Sequence, residues 1–165
     1  MAEPNAGGDS QRSEAYAMEI LYHTHGARGV TTEMRIKYWS SHWKKCDFIT
    51  VLPIIGKTGV SVTRALLGRC DPDDIDLHMA RLIRKKLYGL VVSRAGVLEE
   101  NAFNSSLLFI WSPDRITTRV LQRLFQQMST DLTDGVHLVI AETDEHALWT
   151  DFRGDSGSMH VVMFS

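Results

Sequence analysis

The chain has 165 residues, of which 44% are hydrophobic and 23% charged, and its formal net charge is −2. These values are typical of one soluble globular domain with a substantial core, and they exclude a disordered chain. No run of 18 apolar residues could span a membrane, and the polar, acidic first 15 residues predict no secretory signal. Two cysteines, Cys46 and Cys70, are too few for a disulfide scaffold and favour a reducing, intracellular setting.

The charge is unevenly distributed along the chain. Residues 1–26 hold one arginine and four acidic residues, whereas residues 27–94 hold 13 lysines and arginines and six acidic residues. Residues 95–165 hold four arginines and ten acidic residues. A basic middle between acidic flanks predicts contact with phosphate groups of a nucleic acid or lipid, or with the acidic part of a second copy. A solvated, self-compensating surface is the alternative.

The N-terminal third is predicted to contain a tail and two strands. Residues 1–13 lack hydrophobic periodicity and predict a flexible tail, which leaves residues 14–165 as a single domain. Alternating apolar residues at 16–22 and again at 34–38 predict two half-buried strands joined by a glycine-containing loop. The next segment is ambiguous, because a serine could cap a short helix while Phe48-Ile49-Thr50-Val51 favours a strand.

Two amphipathic helices are the clearest elements. At the first, Asp71 is the expected N-cap, Pro72 fits the first helical position, and Gly89 can close the helix. Its apolar stripe consists of Ile75, Met79, Leu82, Ile83 and Leu87. The second helix is predicted to begin at Ser112-Pro113-Asp114. Its apolar stripe consists of Ile116, Val120, Leu121, Leu124, Phe125 and Met128, and its outer face carries Arg115, Arg119 and Arg123.

Three further strands follow from short apolar runs. They are predicted in residues 104–111, in residues 136–142 after an Asp134-Gly135 turn, and in residues 159–164. The order of elements predicts an α+β fold with a mixed or antiparallel sheet and two main amphipathic helices.

Residues 153–157 contain two overlapping short sequence motifs with known functions in other proteins. Gly154-Asp155-Ser156-Gly157 resembles the nucleophile loop of a chymotrypsin-like protease, but only nine residues follow Ser156, too few to complete the fold. Arg153-Gly154-Asp155-Ser156 is an integrin-type sequence, which requires an extracellular protein. A tight turn is the preferred interpretation.

Residues 54–68, IIGKTGVSVTRALLG, resemble a nucleotide-binding P-loop. The phosphate-binding lysine is missing, because Ser61, Val62 and Thr63 occupy the positions that should hold glycine, lysine and serine or threonine. We therefore interpret the segment as a Gly-rich turn that leads into a short helix bearing Val62, Ala65 and Leu66, and nucleotide hydrolysis is not predicted.

Neither a metal site nor a catalytic site is predicted. The residue types that could ligate zinc are present, but their spacing follows no known zinc site. They are His23, His25, Cys46, Cys70 and His78. We therefore expect no cofactor and no enzymatic activity.

The candidate site is instead a surface. Tyr38, Trp39 and Trp43 are interleaved with basic residues, a pattern that suits stacking on bases or an interfacial position on lipid, although aromatic residues in the core are the alternative. The predicted lipid-binding or nucleic-acid-binding residues are Arg35, Lys37, Lys44, Lys45, Lys57, Arg64, Arg84, Lys85 and Lys86, with Arg81 beside them.

The segment SHWKKCDFITVLPIIGKTGVSVTRALLG, residues 41–68, and the elements after it resemble the core of a rhabdovirus matrix protein. The resemblance covers residues 15–150 in element order: basic-flanked strands like RKKLYGLVVS, a short apolar strand ending in Pro-Asp, a helix at 113–129 and a final strand region like GVHLVIAE. The acidic N-terminus lacks the Pro-rich PPxY budding motif of vertebrate-infecting members, so the similarity is to plant-infecting ones.

This resemblance implies a non-enzymatic viral structural protein. Such a protein self-associates, condenses the viral nucleocapsid and binds the anionic inner face of a membrane, in the virion and in the host-cell cytoplasm. An RNA-binding protein, such as a silencing suppressor, is the alternative that the basic and aromatic segment supports. A small enzyme with a histidine and aspartate site is a third class.

Overall fold

The structure is a computed structural model, and it describes residues 7–66, 71–144 and 159–164. The helices are α1 Gly7–His25, α2 Ile75–Gly96, α3 Arg115–Gln126 and α4 Thr130–Thr133. The strands are β1 Arg28–Thr32, β2 Phe48–Leu52, β3 Gly56–Arg64, β4 Ser105–Ser112, β5 Val136–Thr143 and β6 Met159–Phe164.

The strands of the described segments form one mixed sheet in the order β1-β2-β3-β4-β5-β6. The central strands β3, β4 and β5 are parallel, and the outer pairings are antiparallel. Crossover connections between the parallel strands carry α2, and then α3 and α4. The predicted α+β fold with a mixed sheet and two main amphipathic helices is confirmed.

Both faces of the sheet are covered by helices. In β4, Leu107, Phe109 and Trp111 pack in the cluster that includes α1, whereas Leu108 and Ile110 pack in the cluster that includes α2 and α3. All five side chains are fully buried. Because β4 is covered on both sides, its sequence is a continuous apolar run instead of an alternating one.

The strand predicted at residues 16–22 is wrong, because this stretch belongs to α1. Ala17, Ile20 and Leu21 are buried against the sheet at helical spacing, while Tyr22, part of the alternating pattern, is 62% exposed. The helix begins at Gly7, so part of the predicted flexible tail is helical; residues 1–6 lie outside the described residues.

The strand predicted at residues 34–38 is also wrong. Strand β1 lies earlier, in the stretch predicted to be a loop, and a 3-10 turn, Glu33–Arg35, follows it. Tyr38 makes only an isolated bridge to Val97. β1 is a short, largely exposed edge strand with an irregular register near Gly29, which has a φ of +62°, so it carries no regular apolar alternation.

The two predicted helices differ from the observed α2 and α3 more in their boundaries than in which side is buried. A 3-10 turn, Pro72–Asp74, precedes α2, and α2 continues through Gly89 to Gly96 because Leu90 and Ser93 are buried in the interface with the sheet. Asp114 caps α3, its Oδ1 accepting from the Thr117 N–H at 2.7 Å. Ile116, predicted to be part of the core, is 77% exposed.

The remaining predictions have mixed outcomes. The strands predicted at residues 104–111, 136–142 and 159–164 are confirmed as β4, β5 and β6. The Gly-rich turn and short helix predicted around Val62 are wrong, because β3 extends through Arg64. A P-loop requires a loop at residues 56–63, so the strand at this position rules out a P-loop. The predicted turn at residues 153–157 lies outside the described residues.

Candidate functional site

The outer face of α2 is basic around Arg81, Arg84 and Lys85. Residues 77–98 hold five basic residues and no acidic one. Arg81, Arg84, Lys85 and Tyr88 follow one another at spacings of three, one and three residues, which places them on the same side of the helix, and all four are exposed. The basic side chains face solvent, because the stripe on the opposite side of the helix is buried. This buried stripe consists of Met79, Ile83, Leu87 and Leu90.

A loop before β2 brings two more lysines to this face. The Trp43 indole Nε1 donates to the carbonyl oxygen of Val92 in α2 at 2.6 Å. Val92 is one helical turn from Tyr88, and Lys44 and Lys45 directly follow Trp43 and are exposed. We call the exposed basic group formed in this way the α2 basic surface; it consists of Lys44, Lys45, Arg81, Arg84 and Lys85.

The glycine at the end of α2 makes this docking possible. A Cβ atom at Gly96 would overlap the Trp43 indole ring. The backbone N–H of Trp39 donates to the Gly96 carbonyl at 3.0 Å and holds the beginning of the same loop. The loop therefore rests on α2 at two points, and both depend on the close approach at Gly96.

A buried polar contact fixes the other end of the loop. The Tyr38 hydroxyl lies 2.8 Å from Ser93 Oγ on α2 and accepts from the Cys46 backbone N–H at 3.0 Å. Burial raises the pKa of the Tyr38 hydroxyl and of the fully buried Cys46 thiol. A protonated, enclosed thiol is a poor nucleophile, so these groups hold the loop in place and do not form a reactive site.

Four of the nine predicted binding residues belong to the α2 basic surface: Arg84 and Lys85 on the helix, and Lys44 and Lys45 in the loop that docks on it. Lys37 and Lys57 form a separate group around Glu100: Lys37 Nζ is 3.0 Å from its Oε1, and Lys57 Nζ donates to its carbonyl oxygen at 3.1 Å. Lys86 is half-buried and donates to the Val62 carbonyl oxygen at 3.3 Å.

The other two predicted residues are also separate. Arg35 is exposed in the 3-10 turn after β1, and Arg64 is half-buried at the end of β3. The predicted binding residues are therefore divided among several places, and four of them share the α2 basic surface with Arg81, which was predicted beside them.

On the other face of the sheet, an acidic cavity of about 450 Å³ opens between α1 and the turn that follows β1. Its lining residues are Gln11, Glu14, Ala15, Met18, Thr32, Glu33, Met34 and Asp47. Three of them are acidic and none is basic. The sequence analysis missed the cavity, because one of its walls is α1, which was predicted as a tail and a strand.

Asp47 connects the cavity to the sheet. Strand β2 begins one residue later, so the Val62 N–H of β3 has no partner there, and Asp47 Oδ2 accepts from it at 2.5 Å. Ser61 Oγ also donates to this oxygen, at 3.4 Å. Burial raises the pKa of the Asp47 carboxyl group, while the Val62 N–H and the charge of Lys86 oppose the shift.

We expect Asp47→Asn to make the protein's stability less dependent on pH. A carboxyl whose pKa is higher in the folded than in the unfolded state lowers the free energy of unfolding as pH rises from its unfolded pKa through its folded pKa. Asparagine does not titrate, and its side-chain oxygen can still accept from Val62 N–H. Urea denaturation between about pH 3 and pH 8 should show the variant gaining stability relative to the original protein as pH rises.

Asp131→Asn, at an exposed position in α4, is the matched control and should give no such trend. A stability difference for Asp47→Asn that stays constant across the pH range would contradict the role given to burial.

The residues whose types could ligate a metal are dispersed. His23 and His25 lie on α1, His78 is exposed on α2, and Cys46 is enclosed beside Tyr38. Cys70 lies outside the described residues. In residues 7–66, 71–144 and 159–164, no group of three His, Cys, Asp or Glu side chains is arranged to hold a metal ion.

Within the same segments, none of the helices combines the length and hydrophobicity needed to cross a membrane. No protein-family model matches the sequence, and no curated protein or solved structure is detectably similar to the chain.

Proposed function

We propose that this protein is a non-enzymatic, matrix-like structural protein. It binds an anionic membrane surface through the α2 basic surface, self-associates, and connects the membrane to a viral nucleocapsid. The observation that carries the proposal is the α2 basic surface itself, in which a loop tethered to α2 and the outer face of that helix present five exposed cations.

Exposed apolar groups beside these cations favour a lipid surface as the ligand. Tyr88 is 57% exposed, Leu77 is 51% exposed one turn before Arg81, and Trp39 is 76% exposed at the start of the docked loop. Tyrosine and tryptophan side chains have an apolar body and a polar end, which suits the headgroup region of a bilayer. The basic side chains would lie on the phosphate groups around them.

The expected strength of this contact also favours self-association. A lysine or arginine near an anionic leaflet contributes about 1 kcal/mol, so five contribute about 5 kcal/mol. This corresponds to a dissociation constant of about 0.2 mM for one copy. Linking several copies into one assembly raises the overall affinity without any new contact.

RNA binding is the second candidate, favoured by the exposed rings of Tyr88 and Trp39 beside lysine and arginine. Aromatic side chains next to cations can stack on the bases of a single strand. Both ligands bind less tightly as salt rises, so salt dependence alone does not distinguish them.

We expect the variant K44E/K45E/R84E/K85E to lose binding to anionic vesicles by more than about tenfold, because four attractive charges become repulsive. Lys86 stays unchanged, since it donates to Val62 and its replacement would disturb the fold. The measurement is flotation with phosphatidylserine-containing and with neutral vesicles, repeated with competing single-stranded RNA.

R28E/R35E is the control, because both arginines are exposed outside the α2 basic surface. Flotation that needs anionic lipid, persists with RNA and disappears in the fourfold variant supports the proposal. Flotation abolished by RNA favours the RNA-binding candidate, and equal flotation of the folded fourfold variant refutes a role for this surface.

A further inference from the structure

The first turns of α3 carry an unusual exposed group. Ile116 is 77% exposed although α3 is strongly amphipathic, and Arg115 and Arg119 lie beside it on the same side of the helix and are also exposed. The next arginine along this side, Arg123, already forms an ion pair with Asp76 of α2. We call Arg115, Ile116 and Arg119 the α3 knob, which is one apolar side chain between two cations.

The acidic cavity on the opposite face has the complementary composition. Met18 and Met34 supply apolar surface, and Met34 is 91% exposed. Glu14 and Glu33 are acidic side chains of the lining, and Asp47 is a more enclosed one. A volume of about 450 Å³ is within the usual range for pockets that enclose a ligand.

We propose that the chain assembles head to tail, with the α3 knob of one copy seated in the acidic cavity of the next. The inference rests on the self-association included in the proposed function and names its two surfaces. The two arginines of the knob face an acidic lining in which Glu33 is exposed, and Ile116 covers the methionines. Complementary charge across an interface fixes its register and excludes wrong pairings.

The fold makes this contact intermolecular. The α3 helix packs on the sheet face that carries α2, whereas the cavity is formed by α1 on the other face. A knob therefore cannot reach the cavity of its own chain. Because knob and cavity are different surfaces, the contact is heterologous, and such contacts produce rings or open filaments. The α2 basic surface takes no part in it and remains available.

Two charge reversals test the inference by sedimentation velocity over a concentration series. Glu33→Lys damages the cavity and Arg119→Glu damages the knob, and each variant alone should associate at least about tenfold more weakly than the original protein. Mixed together, they should form a species of two chains or larger, because one intact knob meets one intact cavity and the two reversed charges are again opposite in sign. Circular dichroism establishes that both variants are folded.

Matched controls are Glu19→Lys, an exposed acid of α1 outside the cavity, and Arg84→Glu on the α2 basic surface. Both should associate as the original protein does. An original protein that stays monomeric, unchanged association of Glu33→Lys or Arg119→Glu, or a mixture without a species of two chains or larger would each overturn the inference.

The test is separable from that of the proposed function. The K44E/K45E/R84E/K85E variant retains knob and cavity, so it should still assemble after losing vesicle binding. If Glu33→Lys abolishes assembly, vesicle binding through the α2 basic surface is still tested separately, by comparing the K44E/K45E/R84E/K85E variant with the original protein.

Discussion

Replacing Trp111 by alanine is expected to lower the free energy of unfolding by about 3–5 kcal/mol. Among the described residues, Trp111 is the largest fully buried side chain, and the centroid of its ring is 5.1 Å from that of the Phe109 ring. Its Nε1 donates to the Ser13 carbonyl oxygen at 3.1 Å and thereby joins the central strand to α1. The substitution removes the ring and, with it, this hydrogen bond between β4 and α1.

Two further substitutions separate these effects in urea denaturation followed by circular dichroism. Trp111→Phe keeps most of the ring packing and loses the hydrogen bond, so a smaller loss of about 1–3 kcal/mol is expected. Trp39→Ala, at a side chain that is 76% exposed, should change stability by less than about 1 kcal/mol. A Trp111→Ala loss no larger than that of Trp39→Ala would disprove the assigned role.

Gly59→Val is expected to destabilise the protein by about 1–3 kcal/mol or more. Gly59 lies in β3 at the centre of the sheet, and a Cβ there would overlap the ring of Phe103, which is itself 3% exposed. Strand propensity alone predicts the opposite sign, since valine favours strands and glycine weakens them. Urea denaturation therefore decides between local propensity and packing.

Phe103→Ala combined with Gly59→Val should cost less than the sum of the single changes, because the smaller side chain leaves room for valine. Gly89→Ala is the matched glycine control. It lies inside α2 with nothing within 4 Å of the added Cβ. It should stabilise the protein by about 0.5–1 kcal/mol. A stabilising Gly59→Val would show that Phe103 moves aside easily.

Helix α2 and strand β4 could be predicted because the spacing of their apolar residues corresponds to the way each element is buried. The α2 stripe of Met79, Ile83 and Leu87 and the apolar run of β4 each match one packing environment. The N-terminal helix α1 could not be predicted, because its alternating apolar residues fit a strand as well as a helix. These residues are Tyr16, Met18, Ile20 and Tyr22. The sheet decides in favour of the helix by burying Ala17 and Leu21.

The candidate surfaces depend on contacts between segments that are far apart in sequence. The basic residues were visible in the sequence, but the union of Lys44 and Lys45 with α2 requires the Trp43 contact to Val92, 49 residues away. Lys86 could not be separated from its neighbours without knowing that it reaches the Val62 carbonyl. The cavity joins three segments, and no local pattern indicates such a site.

The hydrogen bond from Trp111 to Ser13 spans 98 residues of chain. At a translation rate of about 5–20 residues per second, α1 leaves the ribosome on the order of 5–20 seconds before the end of β4. During that interval only β2 and β3, whose Phe48 and Val60 share a cluster with Leu21, can cover the apolar side of α1. Early folding of this protein therefore begins with an amphipathic helix that is only partly covered, which is a natural binding target for a chaperone that acts on nascent chains.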